Sequence, residues 1–197
     1  AGVKTVFSPA NMLRPNEIVE MIREAERVLG AVDVLVNNAG IQHVAPIDEF
    51  PAEKWDAILG INLTSAFHTT RAAWPGMKAR GWGRIINIAS VHGIRASEFK
   101  SAYVAAKHGI VGLTKVLALE GAPLGITANA ICPGYVKTPL VEKQIADQAK
   151  AHNLPEDRVV AEVLLKKQPL KDFTTVEALG ALAVFLASEN GRTFTGT

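Results

Sequence analysis

Apolar residues recur along the chain with two different periods, one typical of amphipathic helices and the other of buried strands. In residues 15–29 they stand three and four apart, at Ile18, Ile22, Ala25 and Val28, and Gly30 follows as a stop signal. The run RIINI at 84–88 instead has the length and the β-branched composition of a buried strand.

Strand and helix patterns alternate over the whole chain. They predict strands at 2–6, 33–37, 83–90 and 126–134, and helices at 15–29, 51–59, 61–79, 103–121 and 175–187. This alternation is typical of an α/β fold with a parallel, doubly wound sheet and right-handed crossovers. The sequence contains no repeats, low-complexity tracts or interdomain linkers, so residues 1–197 are predicted to form a single domain.

Residues 138–170 depart from this alternation because they are polar, helical in pattern and longer than a crossover requires. Parallel sheets bind their ligands at the carboxyl ends of the strands. We therefore expect this segment to form a helical lid over the ligand-binding edge.

Composition and charge narrow the class of partner. The chain has 197 residues, 48% of them hydrophobic, and its 21 basic and 19 acidic residues leave a net charge of +2 without a basic cluster. This balance argues against nucleic acid and against a membrane as partners, and the longest apolar runs are shorter than the ~20 residues that span a bilayer. The only cysteine, Cys132, excludes an internal disulfide and indicates a cytoplasmic location.

Metal chemistry is not expected. Apart from His92, the histidines show no spacing typical of metal ligands: His43, His68, His108 and His152. Cys132 lies in a buried-strand pattern, where a thiol is usually an inert packing residue.

Ser90, Tyr103 and Lys107 are the strongest candidates for catalysis. Ser90 follows the strand RIINIA, so its hydroxyl is expected at the carboxyl end of that strand. Tyr103 and Lys107 are four apart in a helical pattern and share one helix face. A nearby ammonium favours the phenolate and is expected to lower the tyrosine pKa from about 10 toward neutrality. An ordinary surface tyrosine and lysine would give the same YxxxK spacing.

Four motifs in order carry a resemblance to a known family: NNAG at 37–40, NIAS at 87–90, YVAAK at 103–107 and CPGYVKTP at 132–139. Over essentially the whole chain the sequence resembles the short-chain dehydrogenase/reductase family, which implies a Rossmann-like fold and a nicotinamide cofactor. The resemblance implies that Tyr103 exchanges a proton with the substrate oxygen, that Ser90 holds this oxygen, and that Lys107 lowers the tyrosine pKa and binds the nicotinamide ribose. It also gives Asn62 a catalytic role, supporting a water that links Lys107 to solvent. Capping or kinking a helix is an equally good interpretation of Asn62.

The same resemblance implies a set of cofactor contacts. Asn38, Ala39 and Gly40 are expected under the adenosine ribose, and Asn11 stands where the family commonly has an aspartate that contacts adenine. The nicotinamide is expected beside Tyr103, Lys107, Pro133, Gly134, Val136 and Thr138. A tight turn between strand and lid is the alternative interpretation of residues 133–138.

Within the family, IQH at 41–43, the stretch 90–109 and the stretch 132–145 look most like bacterial D-3-hydroxybutyrate dehydrogenases. This resemblance implies NAD-dependent interconversion of D-3-hydroxybutyrate and acetoacetate, with substrate contacts from Ser90, Tyr103 and four further residues: Gln42, His92, Lys100 and Gln144. Two amides, an imidazole and an ammonium suit a carboxylate. A capping role for His92 and a solvated Lys100 are the alternatives. Another reductase, such as one for 3-oxoacyl carrier proteins, and a non-catalytic binding protein of the same fold remain alternative functions.

The sequence also departs from the family pattern. It contains no glycine-rich GxxxGxG motif, so we expect the first two strands and the last strand of the fold to be missing and the chain to be part of a longer enzyme. The strand at 2–6 would then lack its neighbour, and one edge of the strand at 33–37 would be open or differently covered. The residue that normally separates NAD from NADP is outside the chain. Tyr135 replaces a tryptophan found in many relatives, a change that could alter the shape of the pocket.

Association into a homo-oligomer is also expected. The helices at 62–80 and 103–121 are apolar on more faces than one core contact requires. In the family such helices pair to form dimers and tetramers, so a dimer of dimers is predicted. Burial inside the monomer is the alternative.

Overall fold

The computed structural model describes residues 2–142 and 144–197. Its centre is a three-stranded parallel sheet in the order β1 (Val34–Asn37), β2 (Gly83–Ile88) and β3 (Ile126–Ile131). The register pairs Asn37 with Asn87 and Ile88 with Ile131, so all strands end at one edge. The predicted α/β fold with a parallel sheet is confirmed, and sequential strands are joined by helical crossovers.

The helices agree closely with the predicted ones. Their bounds are α1 (Pro15–Leu29), α2 (Ala52–Leu59), α3 (Ser65–Arg80), α4 (Ser101–Gly121), α5 (Pro139–Glu142), α6 (Gln144–His152), α7 (Glu156–Val159) and α8 (Val176–Ala187). A π-helical turn, Gly60–Thr64, joins α2 to α3, and a second, Val160–Leu164, extends α7. The segment predicted as a lid is thus helical over most of its length.

The strand predicted at 2–6 does not form, and residues 2–10 have no regular structure. The physical reason is that a strand needs a neighbour for its backbone hydrogen bonds, and β1, the first strand of the sheet, pairs with β2 and not with this segment. Phe7 is accordingly 87% exposed. The outer edge of β1 is open as expected, with Val34 and Val36 partly exposed.

Alternating residues of the strands bury the two faces of the sheet under different helices. Ile85 packs in a core with α1, α3 and α4, whereas its neighbour Ile86 packs with Ile131 against Leu186 of α8. A separate cluster holds the 138–170 segment together around Val159, Leu164 and Leu165, and Tyr135 packs against it. Helices therefore cover both faces, and the lid has its own small core.

The helix α4 and its continuation, Ser101–Leu124, are long and apolar enough by length and composition to cross a membrane. Ala106, Ile110 and Leu117 on this helix are buried, and it packs against β3. Packing in the core therefore accounts for part of its apolar surface. Val116 and Leu119 stay exposed on its outer side.

A buried polar network ties the sheet to both crossover helices. Asn87, fully buried on β2, accepts a hydrogen bond from Asn37 Nδ2 (2.8 Å) and donates one to Thr114 Oγ1 (2.8 Å) on α4. Thr69 on α3 donates to Asn37 Oδ1 (2.6 Å). Since buried polar groups are costly to leave unpaired, this network fixes the helices against the sheet next to the strand ends.

Replacing Asn87 with alanine should lower the free energy of unfolding by about 3 kcal/mol, because it leaves Asn37 and Thr114 without their buried partner. Chemical denaturation measures this change. The exposed Asn16→Ala, at the start of α1, is the matched control and should stay within about 0.5 kcal/mol of the parent protein. Equal stability of the two variants would contradict a structural role for the network.

Candidate active site

Ser90, Tyr103 and Lys107 meet at the carboxyl end of β2. Ser90 follows this strand and is hydrogen-bonded to Tyr103 of α4, one helical turn before Lys107. Lys107 Nζ lies 5.6 Å from the centroid of the Tyr103 ring and donates a hydrogen bond to the Ile88 carbonyl (2.6 Å). The structure thus brings together three side chains that the sequence places 17 residues apart.

The electrostatics of Tyr103 differ from the expectation. Burial raises the pKa of Tyr103, and the hydrogen bond from Ser90 opposes this shift only in part. Burial also lowers the pKa of Lys107 to about 8. The pKa of the phenol thus moves away from neutrality and not toward it as predicted, because desolvation is the largest influence on the buried ring. At neutral pH the phenol keeps its proton and can act as an acid.

His92 lies beside both Ser90 and Tyr103, and its ring meets the Tyr103 ring edge-on with centroids 5.9 Å apart. Its Nδ1 lies 3.3 Å from Ser90 Oγ, its Nε2 lies 2.9 Å from Ser97 Oγ, and its backbone N–H donates to Ser90 Oγ (3.1 Å). Burial, together with the nearby Lys100, lowers the pKa of His92 to about 4. The imidazole is therefore neutral at physiological pH and offers hydrogen bonds instead of charge.

Lys100 is a buried cation, 3% exposed, that contacts the lid. Its Nζ donates to Tyr135 Oη (3.2 Å) and to Gln144 Oε1 (3.4 Å), the latter in α6. The ion pairs of the described residues all lie on other, partly exposed side chains, so no carboxylate is found beside this ammonium. Burial lowers the pKa of Lys100 to about 8. The alternative of a solvated lysine does not fit this burial.

Lys100, His92 and Tyr135 line a cavity of about 1,120 Å³ between the strand ends and the helical segment. Gln148 and His152 of α6 line it as well. Two acidic side chains, Glu98 and Glu162, face four basic ones in this lining, and within the described residues no acid pairs with the Lys100 ammonium. The balance of charge suits the binding of an anion at Lys100.

Gln42 carries a second signal for a polar ligand. Both of its side-chain amide atoms are buried and have no hydrogen-bond partner among the described residues. A buried amide that lacks partners is costly, and functional sites are where such groups are found. Gln42 thus fits a role in holding a ligand.

Asn62 is placed by the π-helical turn Gly60–Thr64. Its Oδ1 accepts from the Ile41 N–H (2.9 Å), and its Nδ2 donates to the Ile41 carbonyl (2.9 Å). These bonds tie the loop after β1 to the kinked helix, which supports the structural alternative for the side chain. The water-supporting role stays a prediction.

The residues predicted to bind the cofactor fall into two groups. Asn38, Ala39 and Gly40 lie in the exposed loop after β1, beside a cleft of about 130 Å³ that Asn62 and Ile88 also line. Residues 38–40 are exposed, and a Cβ at Gly40 would lie in ordinary contact with the Asn62 side chain, at 3.7 Å and beyond. Asn11 instead uses its Oδ1 locally, accepting from the Leu13 N–H (2.9 Å) before α1.

The second group follows β3. The Pro133 carbonyl accepts from the Val91 N–H (2.8 Å), which joins this segment to the loop that carries His92. Gly134 lines the large cavity, Val136 bridges to Thr174, and the Thr138 carbonyl accepts the first hydrogen bonds of α5. The segment is thus a turn into the lid, and it also borders the cavity, so both interpretations fit it.

The remaining histidines and Cys132 show no catalytic arrangement in the part of the chain that the structure describes. No set of three or more histidine, cysteine or acidic side chains is placed to hold a metal ion within residues 2–142 and 144–197. His43 packs on Phe50, and burial raises the pKa of Cys132, which disfavours a thiolate.

Three features of the site carry no clear sequence signal. Ser97 holds His92 from a loop, and Tyr135 holds Lys100 across a separation of 35 residues. Phe99, next to Lys100, has a left-handed backbone with φ of 65°, and its ring packs edge-on against His152 of α6. Non-glycine residues rarely adopt this conformation, and only its tertiary surroundings can hold it.

Comparison with known proteins gives a consistent result. A family model described as short chain dehydrogenase matches residues 1–149. The chain is 58% identical to the D-beta-hydroxybutyrate dehydrogenase of Cupriavidus necator over 195 residues, which is 99% of this chain and 76% of that protein. It is 58% identical to the enzyme of the same name from Rhizobium meliloti, covering 96% and 73% of the two chains. The acetoacetyl-CoA reductase of Rhizobium meliloti is 41% identical, with 91% and 70% covered.

Among solved structures, the sorbitol-6-phosphate 2-dehydrogenase from Erwinia amylovora is similar to this chain with a TM-score of 0.89 and 31% sequence identity. The match covers 95% of this chain and 73% of that one. The sheet and its helices therefore have the Rossmann-type arrangement expected from the motifs.

Proposed function

The chain belongs to the short-chain dehydrogenase family. We propose that it is a dehydrogenase that interconverts D-3-hydroxybutyrate and acetoacetate with NAD as cofactor. The observation that carries the substrate assignment is Lys100, a buried ammonium next to the Ser90 and Tyr103 pair that has no carboxylate partner among residues 2–142 and 144–197. A substrate carboxylate supplies the missing negative charge. A thioester such as acetoacetyl-CoA has no free acid to offer.

The carboxylate would be held by Lys100, His92, Gln42 and Gln144. Lys100 supplies charge, while the neutral His92 and the Gln42 amide supply hydrogen bonds. These contacts orient the oxygen-bearing carbon of the substrate toward Ser90 and Tyr103. Binding of the carboxylate thus positions the whole substrate.

Tyr103 moves the proton. In the reduction of acetoacetate its neutral phenol, which burial favours, donates to the keto oxygen, and Ser90 donates a hydrogen bond to the same oxygen. In the oxidation of hydroxybutyrate the phenolate must accept the proton, so this direction is favoured at higher pH. Lys107 lies close enough to stabilise the phenolate once it forms.

The residues present fit the nicotinamide end of the cofactor. Lys107 Nζ uses one donor on the Ile88 carbonyl, which leaves donors for ribose hydroxyls, and the loop Asn38–Gly40 is exposed. Pro133, Gly134, Val136 and Thr138 border the expected nicotinamide position. When bound, the nicotinamide takes up or returns the hydride. The preference for NAD over NADP is part of the proposal and rests on the likeness to the hydroxybutyrate enzymes.

Lys100→Ala tests the substrate assignment. It should raise the KM for hydroxybutyrate by at least about tenfold, because a charge-assisted bond to the carboxylate is lost. Steady-state kinetics at saturating NAD measure the change, with the exposed Lys54→Ala as the matched control. An unchanged KM, or an equal loss of acetoacetyl-CoA reduction, would count against a hydroxy acid substrate.

The KM for hydroxybutyrate should also depend on pH. Lys100, with its pKa lowered to about 8, is charged below that pH and loses its charge above it. The KM should therefore be flat below pH 8 and rise by up to about tenfold per pH unit well above it. The methyl ester of the substrate lacks the charge and should show no such rise. The rise in KM above pH 8 should be absent in Lys100→Ala. If the variant still shows this rise, another group is responsible for the titration.

The helices of residues 138–170 are proposed to form a lid over the site. Gln144 and Tyr135 link these helices and their hydrophobic cluster to Lys100.

Assembly into a homo-oligomer, with a tetramer as the expected form, is also part of the proposal. It would cover the exposed apolar side chains Phe67 on α3 and Leu119 on α4, the latter 79% exposed. The enzyme would act in the cytoplasm, on small hydroxy and keto acids.

A further inference from the structure

Tyr135 contacts both the helical lid and the polar site around Lys100. Its ring packs against the hydrophobic cluster of the lid, around Val159 and Leu165. Its backbone carbonyl accepts a hydrogen bond from the Thr174 N–H (2.9 Å), which fixes the segment after β3. Its hydroxyl, by contrast, reaches the polar site. Tyr135 therefore connects the packing of the lid to Lys100, as Gln144 of α6 does by a hydrogen bond.

The contact with Lys100 has two components. Lys100 Nζ donates to Tyr135 Oη (3.2 Å) and lies 5.2 Å from the centroid of the same ring. The ammonium is thus held by both the oxygen and the face of one side chain. The ring also meets His92 edge-on, with centroids 6.4 Å apart. Tyr135 consequently limits the positions of two of the groups that face the carboxylate.

The protonation of Tyr135 determines what its hydroxyl can do. Burial, with a contribution from Tyr103, raises the pKa of Tyr135 to about 12, so the phenol is neutral over the working range. Its oxygen accepts from Lys100, and the contacts between described residues give its own hydrogen no acceptor. A hydroxyl that accepts a bond from an ammonium has one hydrogen left to donate. The Tyr135 hydroxyl and the Lys100 ammonium are therefore two neighbouring donors, with their heavy atoms 3.2 Å apart.

On the basis of the function proposed above, we propose that Tyr135 is a positioning and specificity residue for the substrate carboxylate: its hydroxyl holds the Lys100 ammonium in the site and donates a second hydrogen bond to the same carboxylate. Two neighbouring donors, one of them charged, match the two oxygens of a carboxylate better than they match a neutral ester. Because the same ring packs in the lid cluster, recognition of the acid and closure of the lid involve one residue. The chemistry at Ser90 and Tyr103 is not altered by this role.

The test is Tyr135→Phe, which removes the hydroxyl and keeps the ring that packs in the lid. The KM for D-3-hydroxybutyrate at saturating NAD should rise about tenfold, with kcat changed less than about threefold. The KM for the methyl ester should stay within about twofold, so the preference for acid over ester falls. An equal rise for acid and ester would overturn the proposal.

Phe173→Leu is the packing control, because Phe173 lies in the same cluster and offers no donor. It should change the KM of acid and ester in parallel. Loss of acid preference in this variant too would assign the effect to packing and overturn the role of the hydroxyl.

Direct binding of acetoacetate, measured by calorimetry on the NAD-bound protein, separates this inference from the proposed function. Weaker binding by Tyr135→Phe, by about tenfold, supports the inference even if turnover of hydroxybutyrate fails. Equal binding by the parent protein and the variant, or no binding by the parent, overturns it.

Discussion

Tyr103→Phe should lower kcat for both directions of the reaction by about 10²–10⁴. The phenol lies beside both Ser90 and Lys107, and phenylalanine keeps the ring while removing the proton. Solvent can replace this transfer only slowly, because the side chain is largely buried. Steady-state and single-turnover rates at saturating substrate and NAD measure the loss.

Tyr135→Phe is the matched control for this change, since the chain has two tyrosines and the chemical alteration is identical. It removes a hydroxyl that contacts Lys100 and should act mainly on KM. Tyr103→Phe should act mainly on kcat, with the melting temperature nearly unchanged. A Tyr103→Phe enzyme whose kcat stays within tenfold of the parent would remove this residue from the reaction.

Lys107→Met should lower kcat at least about 100-fold while leaving the protein folded. The variant removes the cation proposed to stabilise the phenolate of Tyr103 during oxidation and the donors expected to bind the ribose. Stability should change little, because the loss of the bond to the Ile88 carbonyl is offset by removing a buried charge whose pKa is already lowered to about 8. Activity and thermal unfolding should thus respond in different ways.

The exposed Lys115→Met, two turns further along α4, is the control and should keep full activity. Titration of the Lys107→Met protein with NAD separates the two roles of the lysine. Weaker binding with a restored rate at high NAD would restrict Lys107 to the cofactor. A fall in melting temperature of more than about 5 °C would instead show that its main role is structural.

Most of the fold could be predicted because its signals are local. The helix α1 and the strand β2 follow directly from the spacing of apolar residues, and the order of strands and helices implies the parallel sheet. The strand at 2–6 was predicted from the same local signal and does not form. A strand depends on a partner elsewhere in the chain, which no local pattern can supply.

The sequence predicts those parts of the site that depend on local geometry and misses those that depend on contacts between distant residues. Tyr103 and Lys107 lie one helical turn apart, and Ser90 ends a strand, so their meeting follows from local geometry. The partner of Lys100 is Tyr135, which is 35 residues away, and the left-handed Phe99 depends on its contacts across the fold. These are long-range features.

The amino-acid sequence by itself determined the class of fold, the motif order and the candidates for the reacting groups, because periodicity and side-chain chemistry are properties of short segments. Tertiary structure alone decided the protonation of those groups. Burial raises the pKa of Tyr103 and lowers that of Lys107, against the simple expectation from their adjacency. The reason is that desolvation depends on everything packed around a side chain, from every part of the chain at once.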